Sequence, residues 1–482
     1  MTAAAIALTV MVAIVAIGTA IGFLAGSRRR MDLEQWTVGG RGFGTVLVFL
    51  LMAGEVYTTF AFLGLSGWAY SRGGPALYGL AYLSLAYVAS FFFLPQLWEL
   101  GRKHGIQTQP DFFNTVYRNP YLAGFVCVVG ILAFVPYIQL QLAGIGIIVS
   151  VASFGHIGRV AAMSVGTILL VAFVFANGVR AVAWVSVVKD FLMLIAAIAI
   201  GVGIPLAYFG GIGAAFTALA RARPEHLVMP GATTNLGHSW YISTVLLTSL
   251  GFYMWPHAFG ATFTARSADT LRRNAVLLPI YSLTLALMFF AGFAVVLILP
   301  HLRNGDLGLL TVASRTFPPW FLGVTGGAGA LTAMVPAAIL LLTAATLFAK
   351  NLYRPLFAPA MSDDRVARLA RAMVVVLGAT SLGLAIHGAS TLVSLLLTGY
   401  AMVTQCFPGV VLGLYWKRVT GTGVLIGMMA GVLIAVVLMS THLDPIVGLN
   451  AGFVALCINF AVTIAGSLAT RASTAAVLAE LI

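Results

Sequence analysis

The sequence predicts an all-α integral membrane protein with about thirteen transmembrane helices. Three observations carry that prediction. Charged residues make up 8% of the chain and hydrophobic ones 61%, whereas a soluble chain carries about 25% charged residues. Thirteen apolar runs can be counted along the 482 residues, most of them about 20 residues or longer, which is what crossing the hydrocarbon layer requires. Arg and Lys gather in alternate connections between the runs, as short cytoplasmic loops demand. The composition excludes a soluble enzyme, a disordered chain and a secreted disulfide scaffold.

The expected spans are 4–26, 44–69, 76–98, 119–152, 160–177, 181–209, 239–263, 275–300, 323–349, 372–387, 391–415, 421–440 and 446–470. The first is not a signal peptide, because no positive charge precedes it and it is too long for an h-region. The second carries Met52-Ala53-Gly54-Glu55-Val56-Tyr57-Thr58-Thr59, a helix interrupted by Gly and dotted with polar groups. The fourth carries Gln139 and Gln141, which share a face only if that helix is irregular. The sixth carries Lys189 and Asp190. The seventh is interrupted at Gly251-Phe252-Tyr253-Met254-Trp255-Pro256-His257, about 200 residues after the first interruption. Paired broken helices in corresponding positions point to a secondary transporter with its site near the midplane. The tenth run is short, and only His387-Gly388-Ala389-Ser390 separates it from the eleventh. The segment 210–238 is long enough for a short helix or lid.

Starting outside and alternating places 19 of the 26 Lys and Arg residues in inside loops and 6 in outside loops, with Lys189 inside a span. That split predicts an outside N-terminus and a cytoplasmic C-terminus in a bacterial-type inner membrane. It also accounts for the net charge of +13 without nucleic acid. Cys127, Cys406 and Cys457 all fall in apolar runs, with neither disulfide nor metal-ligand spacing. No cofactor or metal is expected, and oligomeric state is not legible.

An ionised side chain at mid-bilayer costs about 2.5–3.5 kcal/mol on insertion scales. Glu55, Lys189 and Asp190 lie deep in spans, with His257 as a fourth titratable group; Glu99 and Asp111 sit near an edge and read as solvated. Lys189 reads as a coupling charge facing the bundle or as a lysine snorkelling to the surface. Asp190 points about 100° away from it and reads as its own coupling group or as a partner for a cytoplasmic Arg. Glu55 reads as a proton carrier or as a hydrogen-bonded acid tying a helix break together. His257 reads as a substrate or proton ligand or as a satisfied core residue. Tyr57, Thr58, Thr59, Gln141 and Gln405 are expected at the site by depth, although each alone suits helix–helix contact as well.

Four segments resemble the sodium:solute symporter family. Asn177-Gly178-Val179-Arg180-Ala181-Val182-Ala183-Trp184 is similar to its Gly-Leu-Arg-Ala-Val-Ala-Trp block. Phe407-Pro408-Gly409 with Gly413-Leu414-Tyr415-Trp416-Lys417-Arg418-Val419-Thr420 resembles its late Pro…Gly-Leu-Phe-Trp-Lys-Arg block. Val38-Gly39-Gly40-Arg41 and Asn351-Leu352-Tyr353-Arg354 resemble the segments before the first and after the eighth core helices. The resemblance implies a single transporter domain over 1–482. Its leucine-transporter-like core is an inverted repeat of ten helices, about 44–209 and 239–415, with one helix before it and two after. Trp255-Pro256-His257 and Val335-Pro336-Ala337-Ala338-Ile339 look most like the monocarboxylate branch.

The family's cation lies between the first and eighth core helices, which carries its backbone ligands onto Gly54 and Tyr57. The eighth helix normally adds two hydroxyl residues. Here those positions become Val335 and Pro336, or Leu340 and Leu341 in a second register, and Thr332 belongs to the same degenerate set. Ser186 stands where the family often has Asp, and Lys189 where it often has Gln. An ammonium donates three hydrogen bonds and can fill a monovalent cation's place. The expectation is therefore a proton-coupled carrier of a short organic acid such as lactate or pyruvate. Lys189 substitutes for sodium, and half-helix N-termini, Tyr253, Trp255 and His257 form the pocket. The competing expectation is a sodium-coupled carrier of an amino acid or vitamin. A solute sensor is disfavoured by the short stretch after the last span, and an enzyme by the lack of a nucleophile–base pair.

Overall fold

The computed structural model describes residues 2–26, 41–176, 179–233, 235–388, 390–441 and 443–470. Arg28, Arg29, Arg30, Val38-Gly39-Gly40, Asn177-Gly178, Ala389 and Arg471 lie outside the described residues. The described residues form helices and no named strand. Among the described residues, ten helices are long and apolar enough to cross a membrane. Three further segments, Thr45–Arg72, Arg159–Ala176 and His238–Thr262, are broken or slightly too short to qualify on their own.

The chain begins with α1 (Ala3–Gly26) and the first broken helix. That helix is α2 (Thr45–Ala53), an irregular stretch 54–59, a π turn Phe60–Gly64, and α3 (Leu65–Arg72). There follow α4 (Tyr78–His104), a short α5 (Gln109–Tyr117), α6 (Pro120–Ala152), α7 (Arg159–Ala176) and α8 (Val179–Phe209). The segment 210–238 holds a short helix, α9 (Ile212–Ala222). The second broken helix is α10 (His238–Gly251), a 3-10 turn Phe252–Met254, and α11 (Pro256–Thr262). Next come α12 (Ala268–Ser282), α13 (Ala286–Ile298), α14 (Gly308–Thr316), α15 (Pro319–Thr346) and α16 (Arg354–Phe357). The chain closes with α17 (Asp363–His387), α18 (Leu392–Val403), α19 (Phe407–Tyr415), α20 (Gly421–Ser440) and α21 (Ala451–Ala469).

Three expected spans change. The run 372–387 belongs to a 25-residue helix that starts at Asp363; its first turns carry Arg365, Arg368 and Arg371, which hide them from a hydropathy reading. The run 391–415 breaks into α18 and α19 at a 3-10 turn, Thr404–Cys406, ahead of Pro408. The last run begins at Ala451, where the Asn450 side chain accepts from the Gly452 and Phe453 N–H groups and caps α21.

Helix α15 threads the middle of the bundle and is buried along nearly its whole length. Small residues let its neighbours approach. A Cβ at Gly323 would lie 2.5 Å from the Ala7 carbonyl oxygen, and one at Gly327 would lie 2.8 Å from Ile14 Cβ. Without a hydrophobic force between helices in lipid, such close backbone packing supplies the association energy.

Opposite the Arg-rich face, the connection after α13 holds a buried carboxylate. Asp306 Oδ2 accepts from the Leu392 N–H at 3.2 Å, at the start of α18, and a Cβ at Gly67 of α3 would meet Asp306 Oδ1 at 2.5 Å. One side chain thus joins the end of the first broken helix to the helix after α17. Burial pushes the Asp306 carboxyl up to about 6, while the Leu392 N–H and Arg159 act the other way. The folded state therefore holds this proton to higher pH than the unfolded chain, where Asp titrates near 3.9. Its stabilising contribution is complete below about pH 4 and is lost as pH rises through about 6. Asp306→Asn keeps an acceptor and removes the ionisation. Unfolding of the purified protein should show the variant more stable than the native chain above pH 7, by on the order of 2–3 kcal/mol, with the gap closing towards pH 4. An identical gap at both pH values would contradict this.

Candidate substrate and coupling site

The first break leaves carbonyl groups of the stretch 54–59 outside any regular helix. Lys189 of α8 reaches them: Nζ donates to the Gly54 carbonyl oxygen at 2.6 Å and to that of Tyr57 at 2.9 Å. Its side chain is fully buried, so it does not snorkel. Asp190 pairs with Lys189 itself, Oδ1 lying 3.1 Å from Nζ, rather than with an Arg at the edge. Neighbouring positions on a helix diverge, but the four-carbon stem of lysine bends back across the difference. The pair keeps the buried region neutral. Tyr57 also ties the break outward, its hydroxyl donating to Thr284 Oγ1 at 2.6 Å.

Ser186 lies beside the same break; a Cβ at Gly54 would sit 3.2 Å from its Oγ. Its hydroxyl donates to the Val182 carbonyl oxygen of its own helix. On α15, Thr332, Val335 and Pro336 are all buried. Val335 and Pro336 offer no side-chain oxygen, and Thr332 Oγ1 has no hydrogen-bond partner among the described residues. The two break carbonyls thus accept from an ammonium, and neither register of α15, Val335 and Pro336 or Leu340 and Leu341, supplies a side-chain hydroxyl.

The second break brings the other titratable pair together. Trp255 takes an extended conformation, and Pro256 restarts the helix at its first position, where a missing N–H costs nothing. The freed Met254 carbonyl oxygen accepts from Gln109 Nε2 at 2.8 Å. His257 Nε2 lies 2.9 Å from Glu55 Oε2, so the imidazole N–H donates to the carboxylate. The two breaks are therefore linked directly, side chain to side chain, across 202 positions of sequence.

Two cavities meet at this pair. The larger, about 60 Å³, runs from Glu55 and His257 past Ile339 and Thr346 to Gln107 and Thr108 at the Arg-rich face. The smaller, about 10 Å³, is lined by Thr58, Tyr82, Tyr137, Trp255 and Tyr400, with Glu55 and His257 again in its wall. Phe134 stacks on Trp255 at 5.9 Å between ring centroids, which holds the indole in place. Tyr253 lines the larger cavity. Just beyond Gln107, Asp111 accepts from Lys350 Nζ at 3.0 Å and from Asn351 Nδ2 at 2.7 Å, so this acid anchors α5 to the end of the α15 segment instead of standing solvated.

Gln139 and Gln141 lie on a regular helix and part company. Gln139 is half-buried and donates to the Leu384 carbonyl oxygen. Gln141 is buried, and Thr59 Oγ1 donates to its Oε1 at 2.6 Å, bracing the first break without entering the cavities. Gln405 lies elsewhere. Its Nε2 donates to the Ala401 and Gly452 carbonyl oxygens, and its Oε1 accepts from Asn459, so it ties α18 to α21 and is not a pocket residue. The sequence reading missed Tyr82, Tyr137 and Tyr400. Tyrosines at span depth next to the polar positions were the available signal.

The neutral Lys189–Asp190 pair makes a stability prediction. Lys189→Leu leaves an uncompensated buried carboxylate and should cost about 3–5 kcal/mol, read as a loss of unfolding free energy in detergent. Lys189→Leu combined with Asp190→Leu should recover the part due to the lone carboxylate, while the Gly54 and Tyr57 carbonyl oxygens stay without their donor. Equal losses in the single and double variants would contradict the pairing.

The sodium:solute symporter family matches this chain over residues 36–431. The uncharacterized symporter YhjB of Bacillus subtilis (strain 168) is 43% identical over 96% of this chain and 97% of its own. The uncharacterized symporter YodF of the same organism is 34% identical over 91% and 88%. A monocarboxylate transport permease protein of Rhizobium johnstonii (strain DSM 114642 / LMG 32736 / 3841) is 29% identical over 88% and 87%. Among solved structures, a Na+-coupled sialic acid symporter in a substrate-bound outward-open state shares the fold, with a TM-score of 0.80 at 18% identity over 96% of both chains. A nucleobase-cation-symport-1 family transporter follows with a TM-score of 0.55 at 10% identity, over 93% of this chain and 98% of its own. The chain belongs to the sodium:solute symporter family and is a multi-pass membrane symporter of leucine-transporter-like fold, not an enzyme.

Proposed function

We propose that this protein imports a small monocarboxylate by alternating access and couples that import to protons, with the Lys189 ammonium standing where related carriers hold sodium. One observation carries the proposal: Nζ of Lys189 lies 2.6 and 2.9 Å from the Gly54 and Tyr57 carbonyl oxygens. A charged donor in this position binds the first break to α8, as a bound cation binds two helices. Loss of its proton removes the charge that holds Asp190 and weakens the grip on both carbonyls. The break and α8 then separate, and reprotonation from the other side restores the contact. Each cycle therefore consumes a proton gradient at Lys189.

The monocarboxylate reading draws support from the Rhizobium relative and from the pocket's chemistry. The cavities are small and walled by aromatic groups, with one imidazole and no arginine in the lining. Such a site suits a short acid held by a single charge-assisted hydrogen bond better than a large or multiply charged solute. The larger cavity opens towards the Arg-rich face. The positive-inside distribution assigns that face to the cytoplasm and residue 1 to the outside. On that assignment the conformation described here faces inward, in a bacterial-type inner membrane.

Uptake into proteoliposomes separates the readings. Labelled pyruvate or lactate should accumulate under an inward proton gradient without sodium, and not under a sodium gradient at equal pH. Lys189→Gln and Lys189→Ala should lose pH-driven accumulation by about tenfold or more, the size of a removed charge-assisted interaction. Unchanged pH-driven uptake by both variants would remove Lys189 from coupling. Competition by alanine, proline or pantothenate in place of short acids would reassign the solute.

A further inference from the structure

On the monocarboxylate reading just given, on which this inference rests, the incoming carboxylate requires a hydrogen-bond donor; His257, in the wall of both cavities, offers one. Here the donor is already engaged, by a carboxylate belonging to the protein: Glu55 Oε2 lies 2.9 Å from His257 Nε2. The two partners differ in setting. The His257 side chain is 4% exposed, whereas Glu55 keeps 11% on the cavities. Both residues line the larger cavity and the smaller aromatic one, so the pair stands where the two meet. Glu55 lies on the irregular stretch between α2 and α3, where the backbone has turns to give, and His257 is the second residue of α11. His257 is the hydrogen-bond partner of Glu55 among the described residues. With that one donor among the described residues, the Glu55 carboxyl group also borders both cavities.

The surrounding charges sharpen the point. Lys189 and Asp190 face Glu55 from α8 and already neutralise each other. The phenols of Tyr87 and Tyr137 face it from α4 and α6, and Tyr253 and Tyr400 line the cavity walls. Helix α15 presents Ile339, Leu342 and Thr343, none of them titratable. Among the described residues lining the two cavities, His257 is the one basic side chain. An ionised Glu55 and a substrate anion side by side on one imidazole would repel strongly in a dry site, and two carboxyl groups so placed hold a proton between them.

We infer that Glu55 is the resident occupant of the substrate's carboxylate position, and that a monocarboxylate takes His257 from it only as Glu55 binds a proton. The exchange balances. One proton from water joins the Glu55 carboxylate and makes a carboxylic acid. The hydrogen bond from His257 Nε2 to Glu55 breaks, and one from the same N–H to the substrate carboxylate forms. The imidazole keeps its own proton throughout. This proton is separate from the one at Lys189. When the substrate leaves, Glu55 ionises and returns to His257, so the imidazole N–H of the empty carrier keeps an acceptor while the site reorients.

Calorimetric titration of the purified protein with pyruvate, in two buffers of different ionisation enthalpy at pH 7.5, counts the protons taken up on binding. The native protein should take up about one proton per pyruvate, and its affinity should weaken about tenfold per pH unit. Glu55→Gln should bind with close to no proton uptake and an affinity flat in pH. Glu55→Ala should bind tighter than the native protein at pH 7.5, by about tenfold or more, because the internal competitor is gone. A purely structural tie predicts the reverse, weaker binding in both variants with proton uptake unchanged, and that result overturns the inference. Pyruvate binding to the native protein without proton uptake overturns it too, while leaving the monocarboxylate reading intact. Failure of pyruvate, lactate, acetate and propionate all to bind removes that reading, and this inference with it.

Discussion

A helix broken inside a bilayer frees carbonyl groups in a medium that offers no water to bond them. This chain breaks two helices near its centre, and the groups that satisfy those breaks are the groups that make a site. At the first break the answer is an ammonium, Lys189, held over two carbonyl oxygens, with Thr59 braced on Gln141 beside it. At the second it is the amide of Gln109 on the Met254 carbonyl. Each donor comes from a different helix, so the breaks are defined by tertiary packing as much as by the glycine and proline that permit them.

Charge is handled by the same economy of partners. Lys189 with Asp190 forms a pair that is neutral when ionised, and His257 with Glu55 a hydrogen-bonded pair. A buried pair costs far less than either member alone, and so four titratable groups persist at a depth where a single one would be expelled. Their proximity makes them useful to a carrier. A proton gained or lost by one member unbalances its pair, and the lowest-energy remedy is for a helix segment or a ligand to move. The small-residue packing of α15 against α1 and the Asp306 tie between α3 and α18 supply a frame around the moving parts.

Much of this was legible in the sequence because membranes punish exceptions. Gly54 and Pro256 mark the breaks, since apolar spans seldom carry such residues amid polar neighbours. Lys189 stands out as a charge deep in an apolar span, and the family resemblance places the cation's backbone ligands at Gly54 and Tyr57. What periodicity does not encode is side-chain reach. Asp190 diverges from Lys189 by helical angle and still meets its amine. Asp111 looked solvated until Lys350 arrived from 239 positions away. Gln405 has the depth of a pocket residue, but its amide is consumed between α18 and α21. The aromatic wall escaped notice for the same reason: Tyr137 and Tyr400 belong to spans far apart in sequence, and only packing makes them neighbours of His257.

The central claim is that an ammonium holds the place of an ion. It is tested most directly by sodium itself, titrated against the purified protein at constant ionic strength with choline as the replacement cation, and read as thermal stability. The account predicts no saturable sodium-specific stabilisation of the native protein, because the carbonyl oxygens of Gly54 and Tyr57 are already engaged by Lys189. Saturable stabilisation by sodium, and not by choline, would show that a cation site forms despite the lysine and would contradict the account at its base.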